Sequence, residues 1–250
     1  MPTYRTRVLA LKKTKLGESD LIVTLLAENG CQVRAVAKGA RKTSSKFGAR
    51  LEPFSVCDVM LATGRTLEIV TDAETVVSNA VLREDYDRSS AGSVVADFLD
   101  KVSVECQTEE RLFGLAVTTL DVMTTARVED LLAIVVAFLV KGMAMHGYRP
   151  QFDACVSCGC ASPSGGRFSL DLGGPLCEAC CGDQADTVSA DESTRSALRA
   201  LLGARMADVP GLKVPRAVAL SGLRLMRGFA AYHVPARLKA LDLYCAEALR

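Results

Sequence analysis

Leu21-Ile22-Val23-Thr24-Leu25-Leu26, the turn Glu28-Asn29-Gly30, and Val33-Arg34-Ala35-Val36-Ala37 form the stretch that decides the fold of the N-terminal part. Both flanking runs are β-branched and aliphatic, and Asn-Gly is turn chemistry. The same alternation extends outward. Val8–Leu11 precedes the stretch across a turn at Gly17-Glu18, and Phe54–Ala62 and Thr66–Val77 follow it, joined at Thr63-Gly64-Arg65. Five short strands between residues 4 and 76 predict a small closed barrel of the oligonucleotide-binding (OB) type, with a sandwich as the structural alternative.

Beyond residue 80 the apolar period becomes helical. Leu82–Val104, Glu109–Thr124 and Glu129–His146 read as helices, and so do Asp191–Met206, Pro215–Tyr232 and Ala236–Leu249. Asp191 or Ser189 is the expected N-cap of the fourth. Residues 152–186 lose periodicity and gain Gly, Cys, Ser and Pro. The expected class is therefore α+β. A five-stranded OB barrel occupies 1–80, and a helical domain occupies 81–250 with an irregular insert at 152–184.

Composition narrows the function. The chain has 250 residues, 49% hydrophobic and 24% charged, which excludes disorder and collagen-like structure. It has no Trp, 8 Phe and 5 Tyr, so its cores must be aliphatic. The net charge of +1 hides an asymmetry: residues 1–50 carry 11 Lys and Arg against 3 acids, and the rest carries 19 against 26. One end is built to meet an anion. The longest apolar run, Leu131 to Val140, stops at Lys141, well short of the roughly 20 residues of a membrane span. No signal-type apolar stretch follows the first residues, which predicts a cytoplasmic protein with no membrane partner. Ten Cys in a reducing compartment point to thiols or metal ligands.

The sharpest local signal is Cys155-x2-Cys158, 18 residues, then Cys177-x2-Cys180. Two CxxC knuckles at that separation suit one tetrahedral Zn²⁺ held by four thiolates. Four sulfurs leave no open position for water, so the expected zinc is structural, one per chain. Ser164-Gly165-Gly166 and Gly173-Gly174 let the chain fold back between the knuckles. Unmetallated or redox-active thiols are the alternative. Cys160 and Cys181 flank the knuckles and could substitute in register. Cys31, Cys57, Cys106 and Cys245 lie outside the pattern and are expected as small buried residues.

The second signal is basic. Arg34, Lys38, Arg41, Lys42, Lys46 and Arg50 follow one another with no acid between, and residues 39–49 are rich in Gly, Ser and Thr. Such a loop can mould cations and N–H groups to phosphates, the alternative being a solvated charged loop. Lys12, Lys13 and Lys15 form a second cluster. Tyr4, Phe47 and Phe54 are the only aromatics of residues 1–80. Phe47 is the candidate stacking platform, and Phe54 is expected in the core. Affinity must then come from phosphates: about five contacts give a slope near −3.5 in log K against log salt on single strands. A protein that holds backbones and leaves bases free can anneal complementary strands. Lys38–Thr43 lacks the G-x-x-x-x-G-K-[ST] frame of a phosphate-binding loop, and His146 and His233 are the only imidazoles. No enzymatic turnover is expected. The alternative function is an RNA- or ribosome-binding OB protein with a zinc ribbon.

Gly17–Leu26, Ala35–Lys42 and Ser45–Phe54 together resemble the N-terminal signature of the bacterial RecO recombination-mediator family. Gly147–Gly159, Phe168-Ser169, Gly173-Gly174 and Leu176-Cys177 resemble that family's zinc-binding insert. The resemblance implies a DNA repair protein of the RecF-type pathway that binds single- and double-stranded DNA and anneals strands. With RecR it would help load RecA onto DNA coated with single-strand-binding protein, whose acidic C-terminal tail docks in the helical domain. It implies a cytoplasmic, nucleoid-associated protein. It puts the DNA role on Lys38, Arg41, Lys42, Lys46 and Arg50, to which charge alone adds Arg34. It puts the metal role on Cys155, Cys158, Cys177 and Cys180. Arg127, Lys141, Arg224 and Arg227 are cations near apolar helical stripes, without a matched tail pocket.

Overall fold

The computed structural model describes residues 2–43, 45, 47–105, 108–161, 166–182 and 186–249. They form two compact units, 1–124 and 125–250.

The first unit is built on a closed barrel of β1 (Thr3–Leu16), β2 (Asp20–Ala27), β3 (Gln32–Ala37), β4 (Val56–Ala62) and β5 (Glu68–Val77), in the order β1-β2-β3-β5-β4. β1 pairs with both β2 and β4, and a parallel β3–β5 pair closes the ring. This is the OB arrangement. β1 is long because it serves two neighbours. Its register shifts between Ala10 and Lys12, a bulge that bends the strand from one partner to the other. Val8, Ala10, Val23, Leu25, Ala35, Ala37, Val59 and Leu61 point inward and fill the barrel. Leu9, Leu11 and Leu26 are buried as well, on the outer face, where α3 (Tyr86–Val102) packs on β1 and β2. Each such side chain contributes about 1.5–3 kcal/mol of transfer free energy.

The predicted strand from Phe54 starts at Val56 instead. Phe54 has φ +73° and turns its buried ring onto Gly92 of α3. Gly30 has φ +85°, and a Cβ there would fall 2.3 Å from the Glu109 carbonyl oxygen. The Asn-Gly turn is thus pressed against the start of α4 (Glu110–Thr125). The predicted helix from Leu82 is divided into α2 (Ala80–Glu84) and α3 at Asp85, whose carboxylate caps the Arg88 N–H at 2.9 Å. A four-residue helix, α1 (Phe47–Arg50), lies between β3 and β4.

The second unit is organised around α5 (Leu131–Met145). Twelve of its fifteen residues are buried, which explains why its sequence shows no polar face. It packs against α7 (Glu192–Gly203) and α8 (Arg216–His233). α9 (Lys239–Ala248) follows on α8. Asp191 is the N-cap of α7, accepting from Thr194 N at 2.8 Å. The insert is more regular than its composition suggests. β6 (Arg167–Ser169), β7 (Gly174–Leu176) and β8 (Thr187–Ser189) form a sheet in the order β7-β6-β8, with α6 (Glu178–Cys181) between β7 and β8. β8 carries the module past the expected end at 184. Buried Phe168 meets Phe229 of α8 edge-on at 6.0 Å. No helix of the described residues is long and apolar enough to cross a membrane.

Candidate metal centre and nucleic-acid interface

Cys155, Cys158, Cys177 and Cys180 come together with their Sγ atoms all within 4.8 Å of one another. Each knuckle is shaped by backbone N–H groups. In the first, Gly159 N donates to Cys155 O at 2.8 Å and Cys155 N to Cys160 O at 2.9 Å. In the second, Cys180 N donates to Cys177 O at 3.0 Å. Cys177 N donates to Cys155 Sγ at 3.4 Å, joining the two.

These donors already favour thiolates. The Cys158 N–H first, then those of Cys177 and Ser157, bring Cys155 down to about 6. The Cys180 N–H likewise lowers Cys177. Cys180 is favoured as a thiolate by the Ser157 hydroxyl, but the sulfurs of Cys177 and Cys158 outweigh it and hold the group at about 12. Crowded sulfurs compete for protons unless a cation balances them. The Cys158–Cys177 separation is 3.7 Å. A tetrahedron with Zn–S bonds of about 2.3 Å requires sulfurs roughly 3.8 Å apart. The donor set therefore fits a closed four-thiolate metal site. Of the other thiols, Cys57 and Cys245 are buried as expected, whereas Cys31 is half-buried and lines a groove. Cys106 lies outside the described residues.

The basic residues divide into groups. Lys38, Arg41 and Lys42 stand together at the end of the barrel that carries the β1–β2 turn. The loop is tied to that turn. Asp20 accepts from Gly39 N at 2.7 Å, Arg41 N donates to Ser19 O at 2.9 Å, and the Arg41 guanidinium donates to Gly17 O and Glu18 O at 3.2 and 2.8 Å. The Gly39 N–H, then the Ser19 hydroxyl, hold Asp20 below its ordinary 3.8. Lys38 and Lys42 are exposed and form no ion pair among the described residues, although both act on Asp20 through their charge.

Lys15 joins this end. It faces Leu21 across β2, and Leu21 faces Ala37 on β3. Its cluster-mates are engaged elsewhere, Lys13 with Glu52 at 2.6 Å and Lys12 with Asp100 at 3.8 Å. Arg50 is half-committed, donating to Ala73 O at 2.5 Å and lying 4.0 Å from Asp72. Lys46 lies outside the described residues. Arg34 stands apart from the loop, on the outer face of β3 opposite Thr24, which itself faces Lys12. It borders a groove of about 310 Å³ with Tyr4, Asn29, Gln32 and Arg65. Arg65 was legible only as a turn residue, because its neighbourhood with Arg34 is set by barrel closure. Phe47 is packed against the barrel core rather than presented for stacking.

The helical cations are mostly engaged. Lys141 donates to Leu202 O and Ala204 O at 2.7 and 2.6 Å, capping the end of α7, and burial pushes its pKa down. Arg127 pairs with Glu129 and Asp130, and Arg227 with Asp242 at 2.8 Å. Arg224 is exposed. Arg227 borders a second groove of about 440 Å³ with Tyr232, Pro235, Arg237, Leu238 and Leu241.

Comparison with known proteins agrees with both halves. Residues 1–79 match the family model for Recombination protein O N terminal, and residues 83–242 match that for Recombination protein O C terminal. The DNA repair protein RecO of Cutibacterium acnes is 37% identical over 252 residues, covering 97% of this chain and 99% of its own length. That of Nocardioides sp. is 36% identical over 244 residues, covering 95% and 97%. That of Thermobifida fusca is 38% identical over 182 residues, covering 72% and 74%. With a closed barrel, a four-cysteine cluster and matches along nearly its whole length, the chain belongs to the RecO family of DNA repair proteins.

Proposed function

We propose that the barrel binds the phosphates of single- and double-stranded DNA through Lys38, Arg41, Lys42, Lys46 and Arg50, with Arg34 alongside. One observation carries this reading: Arg34, Lys38 and Lys42 are exposed on a closed barrel and none forms an ion pair among the described residues, Asp20 meeting the two lysines only through its charge. A cation outside any ion pair keeps most of its field for an anionic ligand. Phe47 is partly buried against the barrel core, which in this reading leaves bases free to pair. The protein then anneals complementary strands and, with RecR, helps load RecA onto DNA coated with single-strand-binding protein. For the acidic tail of that protein, the groove bordered by Arg227 and Arg237 offers guanidinium groups beside an apolar floor, with Asp242, which holds both at 2.8 Å, as the carboxylate the tail would displace.

Residues 1–80 form the DNA-binding domain in this reading, and 81–250 the helical domain. Cys155, Cys158, Cys177 and Cys180 hold one structural Zn²⁺, which fixes the insert from 152 through β8. Bound there, the metal supplies charge balance and cross-linking; the chain's own N–H groups orient the sulfurs. The protein acts by binding rather than turnover, at the nucleoid in the cytoplasm. Its imidazoles are otherwise engaged: His233 bonds Leu170 O at 2.8 Å and stacks on Tyr148, and burial lowers His146. Burial holds Cys57 and Cys245 at about 11, as unreactive thiols.

The test is annealing of complementary oligonucleotides coated with cognate single-strand-binding protein, across a salt series. Annealing that falls steeply with salt is expected. Salt-insensitive binding with bases shielded from chemical probes would contradict the reading.

A further inference from the structure

We infer that Cys160 is a reserve ligand of the four-sulfur centre, placed to take over from Cys158. The inference rests on the metal reading above and adds a fifth thiol to it. The backbone positions that thiol. Ala154 and Ala161 form an antiparallel bridge, and Cys155 N donates to Cys160 O at 2.9 Å. Cys160 therefore stands directly opposite Cys155. Opposed residues of an antiparallel pair project to the same face, with Cβ atoms about 4.5–5.5 Å apart. Gly159, at φ +75°, turns the chain back to make this return. The Cys160 thiol consequently faces the cluster, against the sulfurs of Cys158 and Cys177.

The structure also selects which ligand is replaceable. Cys155 is only 2% exposed and receives the Cys177 N–H. Cys158 and Cys160 are both exposed and lie two residues apart on one loop. Cys181 is a poorer reserve: it follows Cys180 on α6, and neighbours on a helix project about 100° apart round its axis. Exchange is balanced without any oxidant. The metal–sulfur bond to Cys158 breaks and one to Cys160 forms; Cys160 loses its proton to solvent and Cys158 takes one up. A d¹⁰ ion with no geometric preference from its d-electrons tolerates the shifted set.

The experiment measures zinc content and chelator resistance of the full chain as wild type, Cys160→Ser, Cys158→Ser and the double variant. Wild type, Cys160→Ser and Cys158→Ser should each retain about one zinc, and the double variant should bind on the order of 100-fold more weakly than Cys158→Ser. A zinc-free wild type removes the metal reading and this inference with it. A loaded wild type beside a Cys158→Ser chain as empty as the double variant removes this inference alone. Limited alkylation of zinc-loaded wild type, read by native mass spectrometry, needs no variant to fold. Single adducts shared between Cys158 and Cys160 with zinc retained are expected; adducts confined to Cys160 would overturn the exchange.

Discussion

Lys38 and Lys42, like Arg34, have no ion pair to break before they meet a phosphate, unlike several other cations of the barrel. Arg7 is held by Asp58 at 2.8 Å and Lys13 by Glu52 at 2.6 Å. Lys38→Ala with Lys42→Ala should therefore weaken single-strand binding regardless of sequence. It should also flatten the log K against log salt slope by about 1.4, at roughly 0.7 per phosphate contact. Fluorescence anisotropy across a salt series checks this, and an unchanged slope would remove both residues from the interface. Asp20 acts one step behind them by holding Gly39 N–H. Its folded pKa is depressed, so the stabilisation is fully present above about 3.8 and is lost as pH falls through the lower folded value. Asp20→Ala should abolish hydrogen-exchange protection at Gly39 even at neutral pH, whereas the wild type should keep it until the solution is more acidic than pH 3.8. At this scale the sequence showed which side chains are cationic. It did not show which have partners, because the pairs Arg7–Asp58 and Lys13–Glu52 join residues far apart in the chain.

Among the elements, strand runs were readable wherever alternation met a buried face, as in β2 and β3. β1 shows in the sequence only as Val8–Leu11 because its ends carry Thr, Tyr, Arg and Lys. Those ends are held by backbone pairing to β4 and β2, a contribution that leaves no apolar signature. The short strands of the insert were hidden for a similar reason: three residues each are too few to show a period. Helix starts were more legible, since a cap is local chemistry. Asp191 accepts from Thr194 N, and the Thr194 and Ser193 groups lower its pKa. Asp191→Ala should destabilise the second unit by about 1 kcal/mol, and Asp191→Asn by much less. Urea denaturation at neutral pH reads the difference. Equal losses for both variants would mean that the charge, rather than the capping bond, stabilises α7.

For the whole molecule, the metal-fitting cluster belongs entirely to one unit, so removing a bound metal should act locally. The strands β6, β7 and β8 contain only nine residues, too few to bury a core of their own. Phe168 and Phe152 give them an anchor, but the knuckles that position Val156 N on Pro175 O lie at the cluster itself. With the metal gone the crowded sulfurs take up protons and the cross-linking is lost, which should open the segment around residues 152–189. The barrel draws its stability from Val8, Val23, Leu25, Val59 and their neighbours, none of which depends on Cys155, Cys158, Cys177 or Cys180. A chelator strong enough to strip the site should therefore expose residues 152–189 to protease while residues 3–77 stay resistant. Oligonucleotide binding should keep its salt slope. Acidification should reproduce the release, since ligand thiols must shed protons to hold a metal and regain them as pH falls. Protease cleavage spreading into the barrel at the same chelator concentration would show instead that the two units share one cooperative unfolding step.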